Sequence, residues 1–302
     1  MDAATDKKAI TLNACLGTYP HTQALKRGEV SSDLVAIEFT EINPVNRAFM
    51  PMVREQRFDV SEMAIVTYLQ AKAFGKPLVL LPATMMGRFQ HRTMLYNSEH
   101  GIVRPQDLPG RRVGVRAFSQ TTGVWIRGIL WKDYGLDLGS VKWITFEDAH
   151  VAEYRDPPDV ERAAPGKDIT KMLLDGEIDA AIFGGAMPSE PQLKSVIPDP
   201  DAAAKDWYKK TGAVPVNHMV VVKGTLAGSR PDVIRDLYRM LLDGKKAAGL
   251  PKAGAVDLIP FGFDALKPSL ELMSSYAFEM KLTPKRYTVE ELFDDTTRAL
   301  QA

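Results

Sequence analysis

Hydrophobic and polar positions alternate in two rhythms along the chain. Residues 9–15 (AITLNAC) read as a first short strand, and 35–42 (VAIEFTEI) follows the period of two of a half-buried strand. Between them, "LGTYPHTQALKRGEV" reads as a loop and a helical segment. Over 43–56 (NPVNRAFMPMVREQ), Val45, Phe49, Met52 and Val53 fall on one helical face. "FDVSEM" (58–63) reads as a buried strand with a polar end, 64–75 as a helix stopped by Gly75 and Pro77, and "LVLLPAT" as the next strand. After residue 100 the rhythm restarts. "DLPGRRVGVR" is a turn feeding a strand, 121–135 a helix, "VKWITF" a strand, "DITKMLLDG" a helix and "EIDAAIFG" a strand. A stretch rich in Pro and Asp (187–205) precedes the strand "VNHMVVVK" (216–223). A long helix then runs from Pro231 to about Gly249, and helical segments follow at about 264–280 and 288–300. This alternation predicts an α/β fold built on parallel sheet with helices on both faces. Two such runs and a helical return predict a bilobed molecule. Residues 1–94 plus 216–302 form a discontinuous first lobe and 95–215 a second, with crossover strands joining them and a substrate cleft between.

Composition narrows the function classes. The 302 residues suit two ordinary domains, and 45% hydrophobic with 25% charged residues gives ample core. Lys+Arg and Asp+Glu balance at 38 each, so no field of one sign is available for nucleic acid or an anionic membrane. Any anion site must be local. The single Cys15 excludes an internal disulfide framework, and no Cys cluster suggests zinc. "KKAITLNAC" superficially resembles a lipoprotein signal, with Lys7-Lys8 as its basic part. The apolar run Ala9 to Leu12 is too short, and Thr11 and Asn13 interrupt it. No run reaches membrane-spanning length. The expected location is cytoplasmic. A homo-oligomer is compatible with the sequence.

Candidate chemistry lies at strand ends, where ligands of open α/β sheets bind. After the first strand come Gly17, Tyr19 and His21; after the third, Ser61 and Glu62. After 111–116 come Ser119, Gln120, Thr121 and Thr122, opening a helix that carries Trp125. A hydroxyl-rich turn at a helix start suits an anion, and it equally suits simple helix capping by Ser119 or Thr121. The stretch "GRFQHRTMLYN" (87–97) places Arg88, His91 and Arg92 within five positions. If 88–95 is extended, Arg88, Gln90 and Arg92 share one face and His91 lies on the other, where it could equally be a hydrogen-bonded structural histidine. Arg88 and Arg92 then suit a carboxylate, joined by Arg116 at its strand end; a solvated basic edge is the plainer alternative. His218 opens an apolar strand as either a capping donor or a site residue. The phosphate-loop, dinucleotide, nucleophile-elbow and H-E-x-x-H signatures are missing. Five scattered histidines give no close pair. Glu62 with His91 and His218 could chelate a metal, but no metal is assigned.

The order "DLPGRRVGV", "GEIDAAI", an apolar strand and a helix near "RPDV" resembles type II periplasmic substrate-binding proteins. More specifically, "FDVSEM", "RFQHRTMLYN", "TTGVWIRGILWKDYGL", "TGAVPVNHMVVVK" and "EELF" resemble the 4,5-dihydroxyphthalate decarboxylase family, in order over most of the chain. The segments 255–287 and 147–167 match less closely. The resemblance implies a binding-protein fold turned into an enzyme that releases carbon dioxide from a dihydroxylated aromatic dicarboxylate, leaving protocatechuate. Such chemistry needs no cofactor, because a phenolate supplies the electrons. For that chemistry, the histidines of the two inferred crossovers, His91 and His218, are the expected acid and base with Glu62 in reserve, and the strand-end positions place Arg88, Arg92, Arg116, Ser119, Thr121, Thr122, Tyr19, His21 and Trp125 around the substrate. The alternatives are a transporter's binding protein for an aromatic or sulfonated anion, and a ligand sensor.

Overall fold

The structure, a computed structural model, describes residues 9–185 and 187–302. The Lys7-Lys8 pair lies outside the described residues. The chain begins with β1 (Ile10–Cys15), α1 (Pro20–Lys26), β2 (Val35–Phe39), α2 (Phe49–Glu55), β3 (Val60–Ala64), α3 (Ile65–Ala73) and β4 (Leu78–Gly87). It continues through β5 (Met94–Asn97), β6 (Arg112–Val115), α4 (Thr121–Tyr134), β7 (Lys142–Thr145) and β8 (Glu161–Arg162). Next come α5 (Ile169–Leu174), β9 (Ala180–Ile182), β10 (Leu193–Ser195) and α6 (Pro200–Thr211). β11 (Val216–Lys223), α7 (Gly224–Ser229), α8 (Pro231–Ala247), α9 (Phe263–Glu279) and α10 (Asp295–Arg298) complete it.

These elements form two compact units. Unit 1 holds the residues up to Gly87 with His218–Lys267 and Thr288–Ala302; unit 2 holds Arg88–Asn217 and Pro268–Tyr287. Residues 268–287 therefore group with unit 2, whereas the sequence pattern assigned all of 216–302 to the first lobe. The cause is packing that no local pattern reveals. Tyr276 sits edge-on to Trp125 and Trp131, and the Ser269 hydroxyl accepts the Val214 N–H at 3.1 Å.

Unit 1 carries a five-stranded sheet of order β2-β1-β3-β11-β4. β1 pairs parallel with β2 and β3, but β11 runs antiparallel to β3, with Val220 opposite Glu62 and His218 opposite Ala64. Unit 2 carries a six-stranded sheet of order β10-β5-β9-β6-β7-β8, in which β5 is antiparallel to both neighbours. The expected parallel sheets are thus mixed ones. Period-two patterning reports which face is buried and carries no strand direction.

The unit 1 core shows why its helices dock. In α8, Val233, Ile234, Leu237, Tyr238 and Leu241 recur every three or four residues and are all buried. Burying each such side chain stabilises by roughly 1.5–3 kcal/mol. Gly244 on the same helix lets it approach α1, since a Cβ there would lie 2.7 Å from the His21 carbonyl oxygen.

One local expectation is corrected. Residues 88–93 are not a strand. The Thr93 N–H and hydroxyl both bond the Gln90 carbonyl, at 2.9 and 2.7 Å, closing a turn before β5 starts at Met94. The shared face of Arg88 and Arg92 disappears with the strand. The Pro- and Asp-rich stretch, to which the sequence pattern assigned no element, carries β10 and the start of α6. Asp199 caps α6 by accepting the Ala202 N–H at 3.2 Å, and Pro200 occupies the first turn, where its missing N–H costs nothing.

Candidate active site

Every residue of β3 is buried, including Glu62 at 0% exposure. A carboxylate on a central strand is tolerated only when its lone pairs are filled. Three donors fill them. The Gly17 N–H reaches Oε2 at 2.9 Å, the Tyr19 hydroxyl reaches Oε1 at 2.8 Å, and His218 Nδ1 reaches Oε1 at 2.6 Å. Burial alone would raise the Glu62 pKa. The His218 bond and charge, then the Gly17 and Tyr19 bonds, outweigh it and hold the carboxyl below its ordinary range. An ionised carboxylate only accepts, so Nδ1 of His218 carries the proton. Nε2 then has no hydrogen-bond partner among the described residues, on a side chain 14% exposed. The His218 ring is fixed by the edge contact with Phe49, 4.9 Å between centroids. This is the geometry of a histidine oriented by a carboxylate, able to take or give a proton at Nε2.

The other residues predicted at this end of unit 1 support the pair. Tyr19 and His21 stack with rings 4° from parallel and centroids 5.2 Å apart. Burial and the neighbouring Glu62 charge hold the Tyr19 phenol well above its usual pKa. Burial lowers His21 to about 4, so this ring is neutral, and its Nε2 is buried without a partner. The Cys15 thiol is buried too and pushed up to about 11 by burial and Glu62. Glu62 is therefore not a free reserve base: it is sealed from solvent and spends its lone pairs on neighbours.

In unit 2 a second group gathers around Gly184. Arg88 donates from Nη2 to the Gly184 carbonyl. Its Nε is buried without a partner, and it has no carboxylate partner among the described residues. Burial lowers its pKa. A Cβ at Gly184 would meet Gln120 Nε2 at 1.9 Å and stand 3.8 Å from Thr122 Oγ1. The Thr122 hydroxyl accepts from Asn217 Nδ2 at 3.1 Å, and Asn217 Oδ1 accepts from Gln90 Nε2 at 2.5 Å. Gln120 stands at the N-cap of α4 with no side-chain cap, so neither Ser119 nor Thr121 plays that part. Both are buried. A 14-residue helix with an uncapped start, beside a guanidinium, suits an anion.

Four predicted residues stand elsewhere. Arg92 is exposed and paired with Asp201 on the surface, and Arg116 binds Glu147 at 2.8 Å. Trp125 is fully buried, donates to the Val216 carbonyl at 2.8 Å and packs edge-on against Trp207 and Tyr276. His91 is 2% exposed, edge-on to Trp207, and lowered to about 4 by burial. It is a neutral core histidine, unsuited to proton transfer near neutral pH. Among the described residues no three His, Cys, Asp or Glu side chains are placed to hold a metal ion. The sequence reading named Gln90 only as a neighbour of Arg88 and missed Asn217; the available signal was a polar pair, Asn217-His218, heading an apolar strand. It also missed Arg127, buried within α4, where its guanidinium lies over the Phe118 ring at 4.0 Å.

Comparison with known proteins bears on these sites. No family model matches the chain. The 4,5-dihydroxyphthalate decarboxylase of Comamonas testosteroni is 29% identical over 295 residues, covering 89% of this chain and 87% of that protein. The 4,5-dihydroxyphthalate decarboxylase of Pseudomonas putida is 30% identical over 213 residues, covering 66% of this chain and 82% of its own length. Among solved structures, the periplasmic aliphatic sulphonate binding protein SsuA from Escherichia coli matches with a TM-score of 0.57 at 13% identity, over 95% of this chain and 97% of that one. This confirms the fold as that of type II periplasmic binding proteins and carries nothing about ligand. It also overturns the expectation of a cytoplasmic location, since the matched fold is that of periplasmic proteins. Among the described residues no helix is long and apolar enough to cross a membrane.

Proposed function

The chain belongs to the 4,5-dihydroxyphthalate decarboxylase family and is an enzyme of the carboxy-lyase kind, and from that premise we propose that it decarboxylates 4,5-dihydroxyphthalate to protocatechuate. In such a substrate each carboxylate lies para to a ring hydroxyl. His218 Nε2 takes the proton of that hydroxyl, and the phenolate pushes its electron pair into the ring. The carbon bearing the departing carboxylate accepts a proton. The bond to carbon dioxide then breaks, its electron pair returns to the ring, and aromaticity is restored. The product phenolate regains a proton, so one proton is consumed per carbon dioxide released. No electron sink beyond the phenolate is required.

The observation that carries this reading is the His218–Glu62 pair, a ring nitrogen with no partner held by a buried carboxylate. Glu62 positions His218 and stabilises the imidazolium that forms. Positioned proton transfer contributes roughly 10²–10⁴-fold to a rate. Within unit 2, Arg88 and the uncapped start of α4 suit a carboxylate. Tight pairing to the carboxylate that leaves would stabilise the ground state and slow the reaction.

The test is to incubate the purified protein with 4,5-dihydroxyphthalate and follow carbon dioxide and protocatechuate, beside the His218→Asn variant. Stoichiometric release by the wild type, lost in the variant, supports the reading. A protein that binds the compound and releases no carbon dioxide contradicts it.

A further inference from the structure

We infer that Tyr19, predicted as a substrate contact, is instead a positioning residue: its hydroxyl shares the Glu62 oxygen that holds His218, and so sets the pH at which the pair takes up its proton. This rests on the reading of His218 as the base. Glu62 Oε1 accepts from two donors, Tyr19 at 2.8 Å and His218 at 2.6 Å, while Oε2 accepts from Gly17. A carboxylate lone pair spent on a phenol is less available to an imidazolium. With both bonds in place, Glu62 fixes the His218 tautomer while sharing the same oxygen with the Tyr19 hydroxyl.

The sequence is arranged to bring Tyr19 there. Gly17 is the residue over which the phenol ring lies, because a Cβ at Gly17 would stand 2.5 Å from Cε2 and Cζ of Tyr19. The same Gly17 gives its N–H to the carboxylate. Thr22 fixes the turn from the other side: its hydroxyl accepts the Tyr19 N–H at 2.8 Å and contacts the Gly17 carbonyl at 2.8 Å. His21 stacks on the back of the Tyr19 ring. Four residues of one short turn are thus committed to holding a hydroxyl against a buried carboxylate.

Three elements bring groups to the pair. From β1 comes Cys15, a neutral thiol, with Lys26, Glu41 and Arg57 acting on it. From α1 comes His21, neutral down to about pH 4, with Lys245 and Asp257 acting on it. From α2 comes the uncharged Phe49. None of Cys15, Tyr19 and His21 changes charge between pH 5 and 8.

The experiment is an NMR titration of the His218 ring in the full chain without substrate, for wild type, Tyr19→Phe and Gly17→Ala, alongside decarboxylation profiles against pH. Phenylalanine keeps the ring and its stacking and removes only the donor. In Tyr19→Phe the Glu62 Oε1 lone pair returns to His218 alone, so the midpoint should move upward. The acid limb of kcat should move with it and KM should stay. Gly17→Ala, which displaces the ring, should shift the midpoint in the same direction. An unmoved midpoint in folded Tyr19→Phe overturns the inference, as does a higher KM with an unmoved midpoint, the mark of a substrate contact. Failure of the proposed function appears separately, as undiminished turnover in His218→Asn.

Discussion

His218 and Glu62 stand 156 positions apart in the chain and meet across two antiparallel strands, with Nδ1 2.6 Å from Oε1. Their register is offset: Glu62 faces Val220 across the ladder, and His218 faces Ala64. The pair is therefore a diagonal contact on one face of the sheet, within reach of long side chains. An antiparallel β11 makes this contact possible, because its first residues lie beside the end of β3.

Glu62→Gln should keep the side-chain shape but lose the charge that stabilises the imidazolium. Turnover should fall by about 10²–10⁴-fold with analogue affinity nearly unchanged. Stability should respond to acid as well. The folded Glu62 pKa lies below its unfolded value, so the carboxylate's contribution is full above the unfolded pKa and is lost as pH falls through the folded one. Denaturation curves at a series of acidic pH values should show that dependence weakened in Glu62→Gln. An unchanged acid profile would mean that the bonds to Glu62 do not favour its charged form.

Arg88 and Arg92 should separate sharply. Arg88 is partly buried beside Gly184 with no carboxylate partner among the described residues, whereas Arg92 is an exposed partner of Asp201. Arg88→Lys keeps the charge and loses the planar fork, so KM should rise clearly. Arg92→Lys should leave both constants unchanged, as exposed ion pairs contribute about 0–1 kcal/mol. Steady-state kinetics on both variants checks this, and equal effects would sink the assignment.

His91 should act on stability rather than on rate. Its folded pKa of about 4 lies below the ordinary 6.5, as does that of His21. Between those values the unfolded chain binds more protons, so stability falls as pH is lowered from 6.5 towards 4. Each group accounts for up to about 3 kcal/mol over that window. His91→Gln should flatten the slope and keep wild-type turnover. Denaturant midpoints at pH 7 and pH 5, with a rate assay, would expose a catalytic His91 as a lost rate.

Gly128 on α4 is a packing requirement. A Cβ there would stand 2.1 Å from the ring of Tyr276, which is 2% exposed and has no room to retreat. Gly128→Ala should cost roughly 1–3 kcal/mol despite the better helix propensity of alanine. Thermal unfolding would measure it, and a stabilised variant would show that the ring yields.

Legibility in the sequence followed the range of the interactions. β11 matched its predicted span, and α8 matched closely, because a single element's burial is written into its own periodicity. Glu62 and His218 were legible as polar residues on apolar strands. Their partnership was not, since it depends on β11 running antiparallel. His91 and Trp125 were misread because an aromatic cluster assembled from residues 89 to 276 leaves no local trace. Arg92 was misread because one turn, closed by the Thr93 hydroxyl on the Gln90 carbonyl, replaced a strand.

The most direct test of the proton-transfer reading compares wild type and His218→Asn for protocatechuate release from 4,5-dihydroxyphthalate, with analogue binding measured on the same preparations. The proposed mechanism predicts unchanged affinity and a turnover lower by about 10²–10⁴-fold. Near-wild-type turnover in His218→Asn would contradict it.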